Sequence, residues 1–248
     1  MKTFKRVLLN ILYVSLGVLI GLAWGVKPRE TVLGIDPVPT GETLASGVTV
    51  TLEPKNFILA KPVSPNGIVF VYYPGGRVPA QSYEFVARAL AAQGITVAIP
   101  VMPLELAVIS PNRASEVRDA LEAGGMKITK FVIGGHSLGG AMAAKYAFSN
   151  AVDGLILMGS YSIDDLTGKS FKVLDLAAEH DGVAKLEKVN DGLKKLPAGS
   201  SVDIIPGGVH AFFGRYGPQA GDGSPTVSRD VFEKTLLEKL NAYFQKLL

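Results

Sequence analysis

The sequence predicts an α/β protein, a mostly parallel sheet with helices on both faces. Three observations carry that reading. Short apolar runs alternate with stretches patterned at helical spacing, as strand-helix-strand units require. One run, Ile68 to Tyr73, is apolar throughout, which suits a strand buried on both sides. The 248 residues are 48% hydrophobic and only 19% charged, so the chain can fill a large core and is not intrinsically disordered.

The elements follow in order. Residues 1–27 read as a membrane anchor, because Val7 to Val26 is a charge-free run long enough to span a bilayer as a helix. Lys2, Lys5 and Arg6 precede it, and Lys27 and Arg29, partly offset by Glu30, follow. The more basic flank favours the cytoplasm and places the rest of the chain outside as a single-pass protein. A cleaved signal peptide is the alternative, with a secreted product. Ala23-Trp24-Gly25 is a poor cleavage site, and the run exceeds the usual length of a signal core. Residues 28–46, rich in Pro, Gly and Thr, read as a linker, and residues 47–248 as one folded domain.

Within that domain Val48 to Leu52 and Phe57 to Ala60 read as short strands in a hairpin. Ile68 to Tyr73 is the buried strand. Gln81 to Gln93 is a helix that stops at Gly94. A strand at Thr96 to Ile99, a helix at Ala114 to Ala123, a strand at Lys130 to Ile133, a helix at Leu138 to Ser149 and a strand at Gly154 to Met158 continue the alternation. Lys172 to Ala177 (strand), Val183 to Leu196 (helix) and Val202 to Ile205 (strand) come next. The closing helix, Val227 to Leu247, sets Val231, Leu236, Leu240 and Phe244 on one face.

Composition excludes several functions. There is no cysteine, hence no disulfide scaffold, thiolate metal site or cysteine nucleophile. Three histidines, His136, His180 and His210, make a multi-histidine metal cage improbable. The formal charge of +3 belongs to the N-terminus. Residues 1–30 hold five basic residues and one acid, which leaves 20 basic and 21 acidic residues elsewhere and no footprint for nucleic acid. No phosphate-cradling glycine motif supports nucleotide binding. Asp222, alone between glycines, cannot make a calcium site and reads as part of a surface loop.

One motif carries chemistry. Gly135-His136-Ser137-Leu138-Gly139 follows a predicted strand and opens a predicted helix, the setting of a nucleophile elbow. A serine on so tight a turn stands above the sheet, and small neighbours let strand and helix nearly touch. The Leu138 amide at the helix N-terminus then faces a developing oxyanion. The base is expected downstream, at His210 after the last strand, where Gly207 and Gly208 relax the loop. His136 faces away from the serine side. The acid is expected between them. Asp181, just past the Lys172–Ala177 strand, is the first choice; Glu179, Asp164 and Asp165 are its rivals. Asp175 and Asp203 fall within strands and are set aside as pointing into a packed face. A second oxyanion donor is expected after Tyr73, in Pro74-Gly75-Gly76-Arg77, from the amide of Gly76 or Arg77.

These segments resemble the α/β-hydrolase superfamily, and within it the compact α/β-hydrolase fold-5 or dienelactone-hydrolase-like family. The resemblance rests on Val71 to Val78, Gly134 to Met142, His180-Asp181-Gly182, His210 to Gln219 and Gly221-Asp222-Gly223, and covers roughly residues 48 to 247. One departure is Glu179-His180 after Ala178, where a glycine-containing turn is expected. The resemblance implies a serine hydrolase acting on an ester or related acyl bond of a small molecule, with no cofactor. Only Tyr161 to Ser170 separates two strands where such folds commonly carry a cap, so little or no cap is expected. A non-catalytic binding or scaffold protein on the same fold is a rival, as is an acyltransferase or thioesterase using the same residues.

Overall fold

A computed structural model of the chain describes residues 28–30 and 47–248, together with Tyr13 and Ser15. Most of the expected anchor therefore lies outside the described residues. No described helix is long and apolar enough to cross a membrane.

Eight strands form one sheet: β1 (Val48–Glu53), β2 (Phe57–Pro62), β3 (Ile68–Tyr73), β4 (Thr96–Pro100), β5 (Lys130–His136), β6 (Gly154–Met158), β7 (Lys172–Ala178) and β8 (Val202–Ile205). Their order is β1-β2-β4-β3-β5-β6-β7-β8. β1 and β2 form the antiparallel hairpin, and β2 joins β4 antiparallel. Every later pairing is parallel. Five helices complete the domain: α1 (Glu84–Ala91), α2 (Arg113–Ala123), α3 (Leu138–Ser149), α4 (Leu186–Leu193) and α5 (Arg229–Gln245).

Alternation along β3 creates two cores. Ile68, Phe70 and Tyr72 pack with α1 and α5 on one face; Val69, Val71 and Tyr73 pack with α2 and α3 on the other. Each such side chain, fully buried, contributes about 1.5–3 kcal/mol. Helix α3 lies close to the sheet because Gly139, Gly140, Ala143, Ala144 and Ala147 are its buried residues along with Met142 and Tyr146.

Several element bounds differ from the sequence reading by one or two residues, and four differences have a clear physical reason. β5 runs on through Gly134, Gly135 and His136, because β3 and β6 supply ladder partners on both sides. α1 starts at Glu84, after a 3₁₀ turn over Ala80–Tyr83. α4 starts at Leu186, because the Val183 and Ala184 amides are bound by the Asp181 carboxylate instead of joining a helix. In α5 the buried face is Phe232, Leu236, Leu240, Tyr243 and Phe244; Val231 is 53% exposed, a helical step away from that stripe.

The chain leaves β3 toward β4 on one side and leaves β5 toward β6 on the other. The crevice at the ends of β3 and β5 is thus the switch point of the sheet, where open α/β sheets bind ligands. Register puts the ends of β3, β5, β6, β7 and β8 on one edge, with Tyr73 beside Gly135, His136 beside Met158 and Ala178 beside Ile205. The loop between β6 and β7 contains no helix.

Candidate active site

Ser137 sits between β5 and α3 with φ 54° and ψ −125°, a left-handed conformation costly for a residue with a Cβ. Close approach of strand and helix forces it. A Cβ on Gly135 would lie 2.5 Å from the Tyr73 carbonyl oxygen, and one on Gly139 would run into the Tyr73 and Pro74 carbonyls. The Ser137 amide donates to the Met158 carbonyl (3.0 Å), and the Ser160 hydroxyl donates to the Ser137 carbonyl (2.8 Å). Ser160, from the loop after β6, thus clamps the turn.

Asp181 and His210 meet beside it. His210 Nδ1 lies 2.7 Å from Asp181 Oδ2, with both side chains buried. The other carboxylate oxygen of Asp181 accepts the Val183 and Ala184 amides at 2.8 and 2.7 Å. The acid is therefore held on both sides, and its bond to Nδ1 leaves Nε2 to face a nucleophile. His210 Nε2 is buried and forms no hydrogen bond, to Ser137 or to any other described residue. Such contacts tighten when substrate binds.

The rival acids lie elsewhere. Asp165 is exposed and bonded to Thr167, Asp164 is 4.0 Å from Lys145, and Glu179 accepts the Gly207 amide at 2.7 Å. The Glu179-His180 turn is held without a glycine. Its amides donate to the Ile205 and Gly208 carbonyls, and the Glu179 side chain ties it to the base loop.

The two oxyanion candidates are not equivalent. The Arg77 amide donates to the Glu105 carbonyl at 2.7 Å and is thereby withdrawn from the pocket. The Gly76 amide has no acceptor among the described residues, and neither has the Leu138 amide at the start of α3. Gly76 is therefore the residue of this loop with an amide to offer. Strain concentrates here: Arg77, Leu104, Glu105 and Ser137 all have φ between 52° and 62°.

His136, expected to face away from the serine, is fully buried but lines the same cavity as Ser137, with its ring beside that of His210. Its Nδ1 lies 2.9 Å from the Tyr83 hydroxyl, which also accepts the Gly75 amide at 3.0 Å. Burial, followed by the nearby His210 charge, holds its pKa well below the usual range, against the opposing effect of the His210 carbonyl. A neutral His136 accepts the Tyr83 proton, and this chain fixes the glycine loop after β3. Its ring packs against that of His210, tilted by 46° with centroids 4.4 Å apart.

Three residues escape the sequence reading. The loop that carries Asp222 turns this carboxylate inward. Oδ1 accepts the amides of Gly182, His210 and Gly223 at 3.2, 3.0 and 2.8 Å, and Oδ2 accepts that of Ala211 at 2.8 Å. It thereby joins the acid loop to the base loop with charge-assisted bonds. Gly159 follows β6 with φ 50°, and a Cβ there would lie 3.0 Å from Asp181 Oδ2 and 3.1 Å from His210 Nδ1. The position after an apolar strand was the available signal for it. Arg29, in the expected linker, lines the pocket with Ser137 and Gly76. Asp203, set aside as pointing into a packed face, is instead 44% exposed and ion-paired with Lys239 at 2.6 Å. It lies on the last strand, at the margin of the sheet.

The arrangement offers a serine on a strained turn and two unbonded amides around one small cavity, with a buried carboxylate-histidine pair at the same sheet edge, behind the His136 ring. Nucleophilic attack on an acyl carbon needs those groups.

Comparison with known proteins agrees with the fold. A predicted CIB-like hydrolase from Thermoplasma acidophilum matches at 18% identity and TM-score 0.57, over 78% of this chain and 99% of its own. Carboxyl esterase 2 from the fungus Tuber melanosporum matches at 17% and 0.61, over 89% and 91%. The esterase domain of a Rhodothermus marinus protein matches at 14% and 0.58, over 77% and 92%. No curated protein sequence matches the chain. The model of the alpha/beta hydrolase family matches residues 69–234, more than half of the sequence. With its elbow, its sheet order and that match, the chain belongs to the alpha/beta hydrolase family.

Proposed function

We propose that the protein is a serine hydrolase that cleaves an ester or related acyl bond of a small molecule, tethered to the cell membrane with its catalytic domain outside. The observation that carries the activity is the 2.7 Å contact of His210 with Asp181 beside the strained Ser137.

Ser137 attacks the carbonyl carbon while His210 Nε2 takes its proton. Asp181 holds the imidazole in the tautomer that makes Nε2 basic and stabilises the imidazolium that follows. The Leu138 and Gly76 amides receive the negative charge that builds on the carbonyl oxygen. His210 then protonates the leaving group, and water, activated by the same imidazole, cleaves the acyl-enzyme. The loop after β6 adds no helical cap to the pocket. Acyl transfer or thioester cleavage would use the same residues; a scaffold would have no use for them.

Labelling with a fluorophosphonate tests this reading. The wild type is expected to label and Ser137→Ala is not, because the probe reports an activated serine. Absence of label on both proteins would favour the scaffold.

The tether has its own test. After lysis and an alkaline wash the full chain is expected to stay with the membrane fraction, held by Val7 to Val26. A soluble product that begins near Val26 would show cleavage instead.

A further inference from the structure

The segment that follows the apolar N-terminal run contributes to the pocket. The Arg29 amide donates to the Arg77 carbonyl at 2.6 Å, and the Glu30 carbonyl accepts the Gly217 amide at 2.7 Å. Residues 28–30 are thereby strapped between the glycine loop after β3 and the loop after His210. Arg29 then lines the same cavity as Ser137, Gly76, Leu138, Tyr216 and Gln219. Its Nε is buried and has no hydrogen-bond partner, and no carboxylate pairs with it among the described residues. Burial holds His136 below and Tyr216 above their usual ranges, and the Arg29 charge adds to the first effect and opposes the second, as a cation close to both rings does.

An arginine with a buried, unsatisfied donor is costly unless a ligand completes it. Its planar fork matches a carboxylate. The cavity measures about 200 Å³. That is room for a short acyl group with an acidic end. We infer that Arg29 forms an anion subsite, and that the substrate is a small ester bearing a carboxylate or similar negative group a few bonds from the scissile carbonyl. This inference rests on the serine-hydrolase reading of Ser137 and deepens it by naming the substrate's charge.

A matched pair of esters tests it on the full-length protein in detergent: p-nitrophenyl hydrogen glutarate, which is anionic, and p-nitrophenyl pentanoate, its neutral counterpart of equal chain length. The readout is the ratio of their kcat/KM values. The wild type is expected to prefer the anionic ester. Arg29→Gln is expected to lower the ratio about tenfold to a hundredfold, the worth of a hydrogen bond to a charged group, and Arg29→Lys to recover part of it. An equal ratio in wild type and Arg29→Gln would overturn the subsite, and so would equal loss on both esters. Fatty-acid release from phosphatidylglycerol vesicles with no turnover of the glutarate ester would also overturn it, by moving the anion to a lipid headgroup.

Glutarate binding followed by calorimetry reads the subsite without turnover. Binding to wild type that is lost in Arg29→Gln supports it, and no binding to wild type overturns it. Failure of the fluorophosphonate to label Ser137 is a separate result, independent of substrate charge, and marks failure of the underlying hydrolase reading.

Discussion

Asp181→Asn is expected to leave the domain folded and to lower turnover by about four orders of magnitude, the loss seen when such an imidazole is held in the wrong tautomer. The substitution keeps the shape of the side chain. One oxygen remains to accept the Val183 and Ala184 amides, so the turn that starts α4 is retained. What changes is the atom that faces His210. The carboxylate oxygen 2.7 Å from Nδ1 accepts a proton there. An amide NH₂ placed at that position donates instead, which leaves the proton on Nε2 and removes the base from Ser137. Steady-state hydrolysis by wild type and variant, with circular dichroism as the check on folding, measures the effect. Near-full activity in Asp181→Asn would exclude Asp181 as the partner of the base.

A second large effect is expected on stability. Asp175 lies in the middle of β7, paired in register with Leu157 and Val202, and is 1% exposed. Neither carboxylate oxygen has a hydrogen-bond partner among the described residues. Burial pushes its pKa up to about 8. In the unfolded chain an aspartate titrates near pH 4. Between about pH 4 and pH 8 the folded protein holds a proton that the unfolded chain has released, so this group's contribution to stability falls as pH rises through that window. Above it the full penalty applies. At about 1.4 kcal/mol for each pH unit of such a difference, the penalty reaches several kcal/mol.

Asp175→Asn cannot ionise. Its melting temperature at pH 8.5 is therefore expected to exceed that of the wild type by about 10–20 °C, at about 2–4 °C per kcal/mol for a chain of this size. At pH 5 the difference is expected to shrink to about 1–2 kcal/mol, a few degrees, and to vanish near pH 4. Thermal unfolding of both from pH 5 to pH 9 checks this, and parallel curves would show that the carboxylate finds a partner or water.

The order of strands and helices was legible in the sequence because each is fixed by local periodicity and by the chemistry of its ends. α3, β6 and β8 begin and end where the apolar pattern and the glycines place them. The elbow was legible for the same reason, since its glycines, serine and flanking strand and helix are contiguous. The tertiary structure decided whatever depends on bonds between distant segments. Gly134 and Gly135 look like a loop until β3 and β6 pair with them. Gly76 and Arg77 look alike until the Glu105 carbonyl takes one amide. Asp222 looks like a surface acid until the acid and base loops present four amides to it. Arg29 looks like a flank of the apolar run until Arg77 holds its amide and Gly217 holds the Glu30 carbonyl beside the cavity. A periodic pattern records which face of an element is buried, but a hydrogen bond across many residues of chain leaves no period, so only the folded arrangement assigns these roles.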